Sequence, residues 1–67
     1  MTRYEKCKQI VANGQAERID GMLIDISSAN VYCQVYEGLK PENKELLEGF
    51  DTVKAFRVVW DISVTNN

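Results

Sequence analysis

The sequence predicts a mainly α domain, compact and small, of three to four helices with a short β-hairpin around residues 19–26 and a C-terminal segment that reads as either helix or strand. Three observations lead there. Apolar residues recur at three- and four-residue spacing in three stretches, glycines stand where those stretches end, and strict alternation is confined to two short runs. At 67 residues the chain is one domain, 1–67, and its 45% hydrophobic and 27% charged composition is that of a folded protein, not a disordered one. Chains of about 60 residues bury only roughly 60% of their unfolded surface, so the core is small and stability shared with a second copy is expected.

The first helix carries Tyr4, Cys7, Ile10 and Val11 as one stripe, and Asn13-Gly14 ends it. Gln15 to Arg18 reads as connection. Asp20-Gly21 is a turn signal inside Ile19 to Ile26, where Met22, Ile24 and Ile26 alternate with Leu23 and Asp25. Ser27 and Ser28 offer N-cap hydroxyls to a second helix whose face is Ala29, Tyr32, Cys33, Val35, Tyr36 and Leu39, ending at Gly38. Pro41 suits the first turn of a short third helix with Leu46, Leu47 and Phe50, closed by Gly49. From Asp51 to Val64 two patterns compete. Asp51 or Thr52 caps a helix presenting Val53, Phe56, Val59 and Trp60, whereas Phe56, Val58, Trp60, Ile62 and Val64 alternate as a strand would. The reading adopted is helix near Val53 to Val59 followed by an extended tail.

Chemistry is sparse. Without histidine the chain lacks the commonest general base and metal ligand, so an enzyme is not expected. Cys7 and Cys33 form no CxxC pattern and read as buried hydrophobes; no cofactor is expected. Asp20 and Asp25 flank an apolar segment, but two carboxylates alone make a poor Mg²⁺ site, so no metal is assigned. Arg3, Lys6 and Lys8 form a small basic patch that the net charge of −2 dilutes, which argues against nucleic acid. No run resembles a membrane span or a signal peptide, which points to a cytoplasm and away from a membrane.

The aromatic set is the more informative feature. Tyr32, Tyr36, Phe56 and Trp60 are large for so small a core, and Tyr and Trp concentrate in binding hot spots, which makes these four the candidate interface. Glu37, Glu45 and Glu48 are the candidate polar rim, placed to oppose a basic site on a partner.

Ile10-Val11, Gln15, Ile19-Asp20-Gly21, Ile24-Asp25, Ser28-Ala29, Val35-Tyr36, Leu39 and Asn43-Lys44 together resemble a group of small, uncharacterised proteins common in bacteriophage and prophage genomes. Relatives tend to end the second helix in Val-Tyr-Asp-Ala-Leu; Val35-Tyr36-Glu37-Gly38-Leu39 departs at two positions. The resemblance implies a phage-like origin and carries turns and core residues, not chemistry. The resemblance carries no established function, but small phage proteins often bind host enzymes stoichiometrically, defence systems included; joined to the readings above, the expectation is a cytoplasmic, homo-oligomeric accessory protein that inhibits a host defence enzyme. Two other expectations compete with it: a binder that sequesters a nucleotide signal between protomers, and a small helical DNA-binding regulator.

Overall fold

The computed structural model describes residues 1–65. In chain order the elements are α1 (Arg3–Asn13), β1 (Glu17–Ile19), β2 (Met22–Ile24), α2 (Ile26–Glu37), α3 (Pro41–Gly49) and α4 (Thr52–Thr65). The fold is thus the expected mainly α domain with a short antiparallel hairpin.

Each start and stop has a local cause. Thr2 and Glu5 close a capping box on α1: the Thr2 hydroxyl accepts from the Glu5 amide and the Glu5 carboxylate accepts from the Thr2 amide. Gly14, at φ 64°, ends α1 with its N–H on the Ile10 and Val11 carbonyls. The hairpin turns on Asp20 and Gly21, both at positive φ (52° and 79°), the backbone pair that a tight two-residue turn requires. It pairs Glu17 with Ile24, Arg18 with Leu23 and Ile19 with Met22, so Glu17 and Arg18 belong to a strand and not to a connection.

The cap of α2 corrects the sequence reading. Asp25, not Ser27 or Ser28, is the N-cap: its carboxylate accepts from the Ser28 amide at 2.7 Å, and the helix begins at Ile26. An anion at the positive helix end outcompetes a neutral hydroxyl there. Pro41 opens α3 as expected, and Asp51 caps α4 by accepting from the Lys54 amide at 2.9 Å.

The C-terminal segment is also corrected. It is helical to Thr65, with neither an extended tail after Val59 nor a strand. Strand alternation would have put Phe56, Trp60 and Val64 on one face, yet Phe56 is buried while Trp60 and Val64 are exposed. The buried set is instead Thr52, Ala55, Phe56 and Val59, a helical stripe, with Val53 and Trp60 outside it. Packing of that stripe overrides the β preference of the valines.

Helices α1 and α4 both pack on α2. Cys7 and Ile10 from α1, Ile19 and Ile24 from the hairpin, Ala29, Tyr32 and Cys33 from α2, Leu47 from α3 and Ala55, Phe56 and Val59 from α4 make one core.

A Cβ added at Gly21 would meet open space, so replacing this residue tests backbone conformation alone. Gly21→Ala is expected to cost about 1 kcal/mol and to lower Tm by roughly 4–8 °C, with Gly21→Asn milder because Asn tolerates positive φ. Thermal melts of the three proteins check the order.

Candidate functional site

Arg3 sits in the first turn of α1, and its guanidinium is turned inward. Nη2 donates to the Phe50 carbonyl at 2.6 Å and Nη1 to the Leu47 carbonyl at 3.2 Å, satisfying acceptors at the C-terminal end of α3. Nη1 also reaches the Tyr32 hydroxyl at 3.3 Å and Glu48 Oε2 at 3.5 Å, and Nε donates to Thr52 Oγ1 at 3.3 Å. Glu48 answers from α3: Oε2 accepts from the Tyr32 hydroxyl at 2.6 Å and Oε1 from the Tyr4 amide at 3.0 Å, near the N-terminus of α1. Thr52 then donates to Asp20 Oδ2 at 2.5 Å, tying the hairpin turn to the start of α4. Burial and the Glu48 hydrogen bond hold the Tyr32 phenol well above its ordinary range.

This network relocates several residues singled out in the sequence. Arg3 is a structural cation, 9% exposed, and does not contribute to a basic patch. Glu48 is its partner, not a rim residue, and only Glu37 and Glu45 remain on the surface. Tyr32 and Phe56 are core, their ring centroids 5.1 Å apart, and present nothing to a partner. Tyr36 is half-buried and stacks on Tyr4 at 4.0 Å, between the ammonium groups of Lys8 and Lys44. The Tyr4 hydroxyl donates to Glu37 at 2.6 Å, and that bond, above all, pushes its pKa to about 12. Trp60 alone of the four candidate aromatics is exposed, at 41%. Asp20 and Asp25 serve as turn acceptor and helix cap respectively. Among the described residues, no group of three or more His, Cys, Asp or Glu side chains is placed to hold a metal ion.

What the sequence reading missed is a groove between α3 and α4. Leu39, Leu46, Leu47, Phe50, Val58 and Ile62 line it, with Asn43 as the polar contribution, and its volume is about 330 Å³. Leu46, 59% exposed, stands at its lip while Leu47 is buried. Adjacent positions on a helix point about 100° apart, and Leu46 falls outside the buried side that Leu47 occupies. A second, more open depression shares Leu46 and Phe50 with the groove and is lined by Glu42 and Glu45. A third hollow, about 260 Å³, is polar and lined by Arg3, Lys6, Asp20 and Glu48, but its guanidinium is already engaged by the network.

Comparison with protein-family models, curated proteins and solved structures finds no match. No helix among the described residues is long and apolar enough to cross a membrane. The candidate site is therefore defined by geometry: an apolar groove with an acidic flank, whose α3 wall is held by Arg3 and Glu48.

Two measurements probe the network. Arg3→Met leaves Glu48, the Tyr32 hydroxyl and two carbonyls short of a donor; because the pair keeps some solvent contact, the expected cost is about 2–3 kcal/mol in urea unfolding. Arg3→Lys should recover little, since an ammonium cannot span the fork of acceptors, and Arg3→Met with Glu48→Gln should cost less than the two changes summed.

The second is alkaline. Burial, helped by the nearby Cys33 and Glu48, raises the Cys7 thiol from its ordinary 9.0 to about 12. The folded state therefore favours the protonated thiol: the contribution is whole below pH 9 and is lost as pH rises from 9 through about 12. Urea midpoints should fall over that window, and Cys7→Ala should flatten the fall between pH 9 and 11.

Proposed function

We propose that this chain is a non-catalytic accessory domain that binds a protein stoichiometrically, seating an apolar segment of its partner in the α3–α4 groove. The observation that carries the reading is Leu46, a large aliphatic side chain on the lip of an apolar groove, continuous with Phe50 and Val58. Pockets in which a few apolar anchors are buried and a polar rim fixes orientation are the usual form of a protein-binding hot spot. Glu42 and Glu45 beside Leu46 favour an occupant with Lys or Arg next to its apolar anchor, because opposite charge at the rim speeds encounter and selects partners. A host enzyme that handles nucleic acid or nucleotides presents such basic surfaces, and inhibition by covering one fits the phage-like resemblance of the sequence.

The competing readings find less support. A nucleotide binder needs donors for phosphate, whereas the groove walls are apolar apart from Asn43. A DNA-binding role loses Arg3 from its basic patch.

The test is co-purification of the tagged chain from host cells, followed by reconstitution with the purified partner. A one-to-one complex is expected, weakened about tenfold or more by Leu46→Asp with the fold intact by circular dichroism. A partner that binds the Leu46→Asp and Val58→Asp variants as tightly as the wild type would place its site elsewhere and overturn the groove reading.

A further inference from the structure

The two cysteines are buried reactive groups that neither the polar network nor the groove uses. Cys7 is fully buried and Cys33 is 8% exposed; both thiols are free and both belong to the one core. Their helices face each other, since α1 packs against α2 more extensively than any other two elements do. Tyr4 sets the register. Its ring stacks on Tyr36 and its hydroxyl donates to Glu37, so the start of α1 lies at the end of α2 and the two helices run antiparallel. One turn along α1 from Tyr4 stands Cys7, and one turn back along α2 from Tyr36 stands Cys33. The cysteines are therefore the layer next to the tyrosine stack.

Electrostatics agree with that placement. After the Glu37 bond for Tyr4 and burial for Cys7, the charge of Cys33 is among the groups that raise both pKa values, which sets its sulfur near each of them. Packed helices lie about 8–10 Å apart axis to axis, with Cα atoms about 2.3 Å off each axis, so opposed Cα atoms approach to roughly 4–7 Å. That is the separation a disulfide spans. Ala29, fully buried one turn further on, keeps this seam close.

We infer that Cys7 and Cys33 are a redox pair, whose disulfide staples α1 to α2 when the protein meets a low-molecular-weight disulfide of the glutathione type. The Cys33 thiolate, the more accessible, attacks one sulfur of the oxidant; the oxidant's S–S bond breaks, one thiol leaves, and a mixed disulfide stays on Cys33. The Cys7 thiolate then attacks the Cys33 sulfur and expels the second thiol. Both cysteines are oxidised, the oxidant is reduced to two thiols, and the two cysteine protons end on them. Burial raises both cysteine thiols above their ordinary range, so exchange is slow in the closed domain and passes through local opening of α1 from α2. The dithiol is the resting form, and the bond records exposure to an oxidant. It closes a loop over residues 8–32, hairpin included, and holds the helix from which Arg3 anchors α3.

The test treats the full chain with oxidised glutathione at the lowest urea concentration at which N-ethylmaleimide labels the reduced protein, so that access is assured. After removal of urea, mass spectrometry and thermal melts read the product. A monomer lighter by two hydrogens is expected, which takes up no maleimide after refolding or in full urea and melts about 10 °C or more above the reduced form. Dithiothreitol should restore two labelled thiols and the original Tm. Cys7→Ala should stop one step earlier, one glutathione heavier on Cys33. A wild type that keeps the mixed disulfide shows Cys7 out of reach of Cys33 and overturns the inference. So does a product linked only between chains, a chain whose thiols stay free while maleimide labels them, or an internal disulfide that lowers Tm, since that bond would not fit the folded seam.

Discussion

The reciprocal exchange between α1 and α3 is the constraint on which the rest of this domain depends. Arg3, from the N-terminal turn of α1, donates to carbonyls at the C-terminal end of α3, and Glu48, from the end of α3, accepts an amide near the N-terminus of α1. Each helix end receives the charge that its dipole and its unpaired backbone groups favour, and each charge also finds its opposite. A nine-residue helix with one fully buried side chain, Leu47, is too short to persist by propensity or by core packing alone. Its position is set by polar contacts at one end, and these are directional. They leave no described buried side-chain donor or acceptor without a partner.

That solution shapes the surface. Because α3 is fixed by its last turn and by Leu47, the other side of the helix is free of core duty, and Leu46 can stand in solvent over Phe50 and Val58. A helix recruited by hydrophobic burial would have turned both leucines towards the interior as far as geometry allowed. Anchoring through Arg3 and Glu48 separates the two jobs, with Leu47 serving the fold and Leu46 left available for contact.

Local signals account for the parts of the fold that were legible in the sequence. The Cys7 and Ile10 stripe of α1 (Val11, read with it, is exposed), the Gly14 end, the Asp20-Gly21 turn, Pro41 at the start of α3 and the face of α2 all depend on neighbours a few positions away. What was not legible depends on distant ones. Nothing near Arg3 in sequence marks it as buried, since its acceptors lie 29 to 49 positions along the chain. Tyr32 reads as a surface anchor until Arg3 and Glu48 are seen to satisfy its hydroxyl, after which full burial carries no unpaired polar atom. The C-terminal segment satisfies two periodicities at once, and the choice between them lies in α2, whose Tyr32 receives the Phe56 ring. For the candidate site, two of the four aromatics went to the core, and no local pattern in the sequence marked the groove, which forms between side chains of α3 and α4.

The groove and the exposed stripe of α4, with Val53, Trp60 and Val64, lie on opposite sides of that helix. Val58 and Ile62 face α3, while Trp60 and its stripe face the opposite side, so occupying one does not cover the other. A partner seated in the groove would meet Leu46, Phe50, Val58 and Ile62 and leave the Trp60 stripe in solvent, so the groove must carry recognition with its own walls and the Glu42 and Glu45 flank.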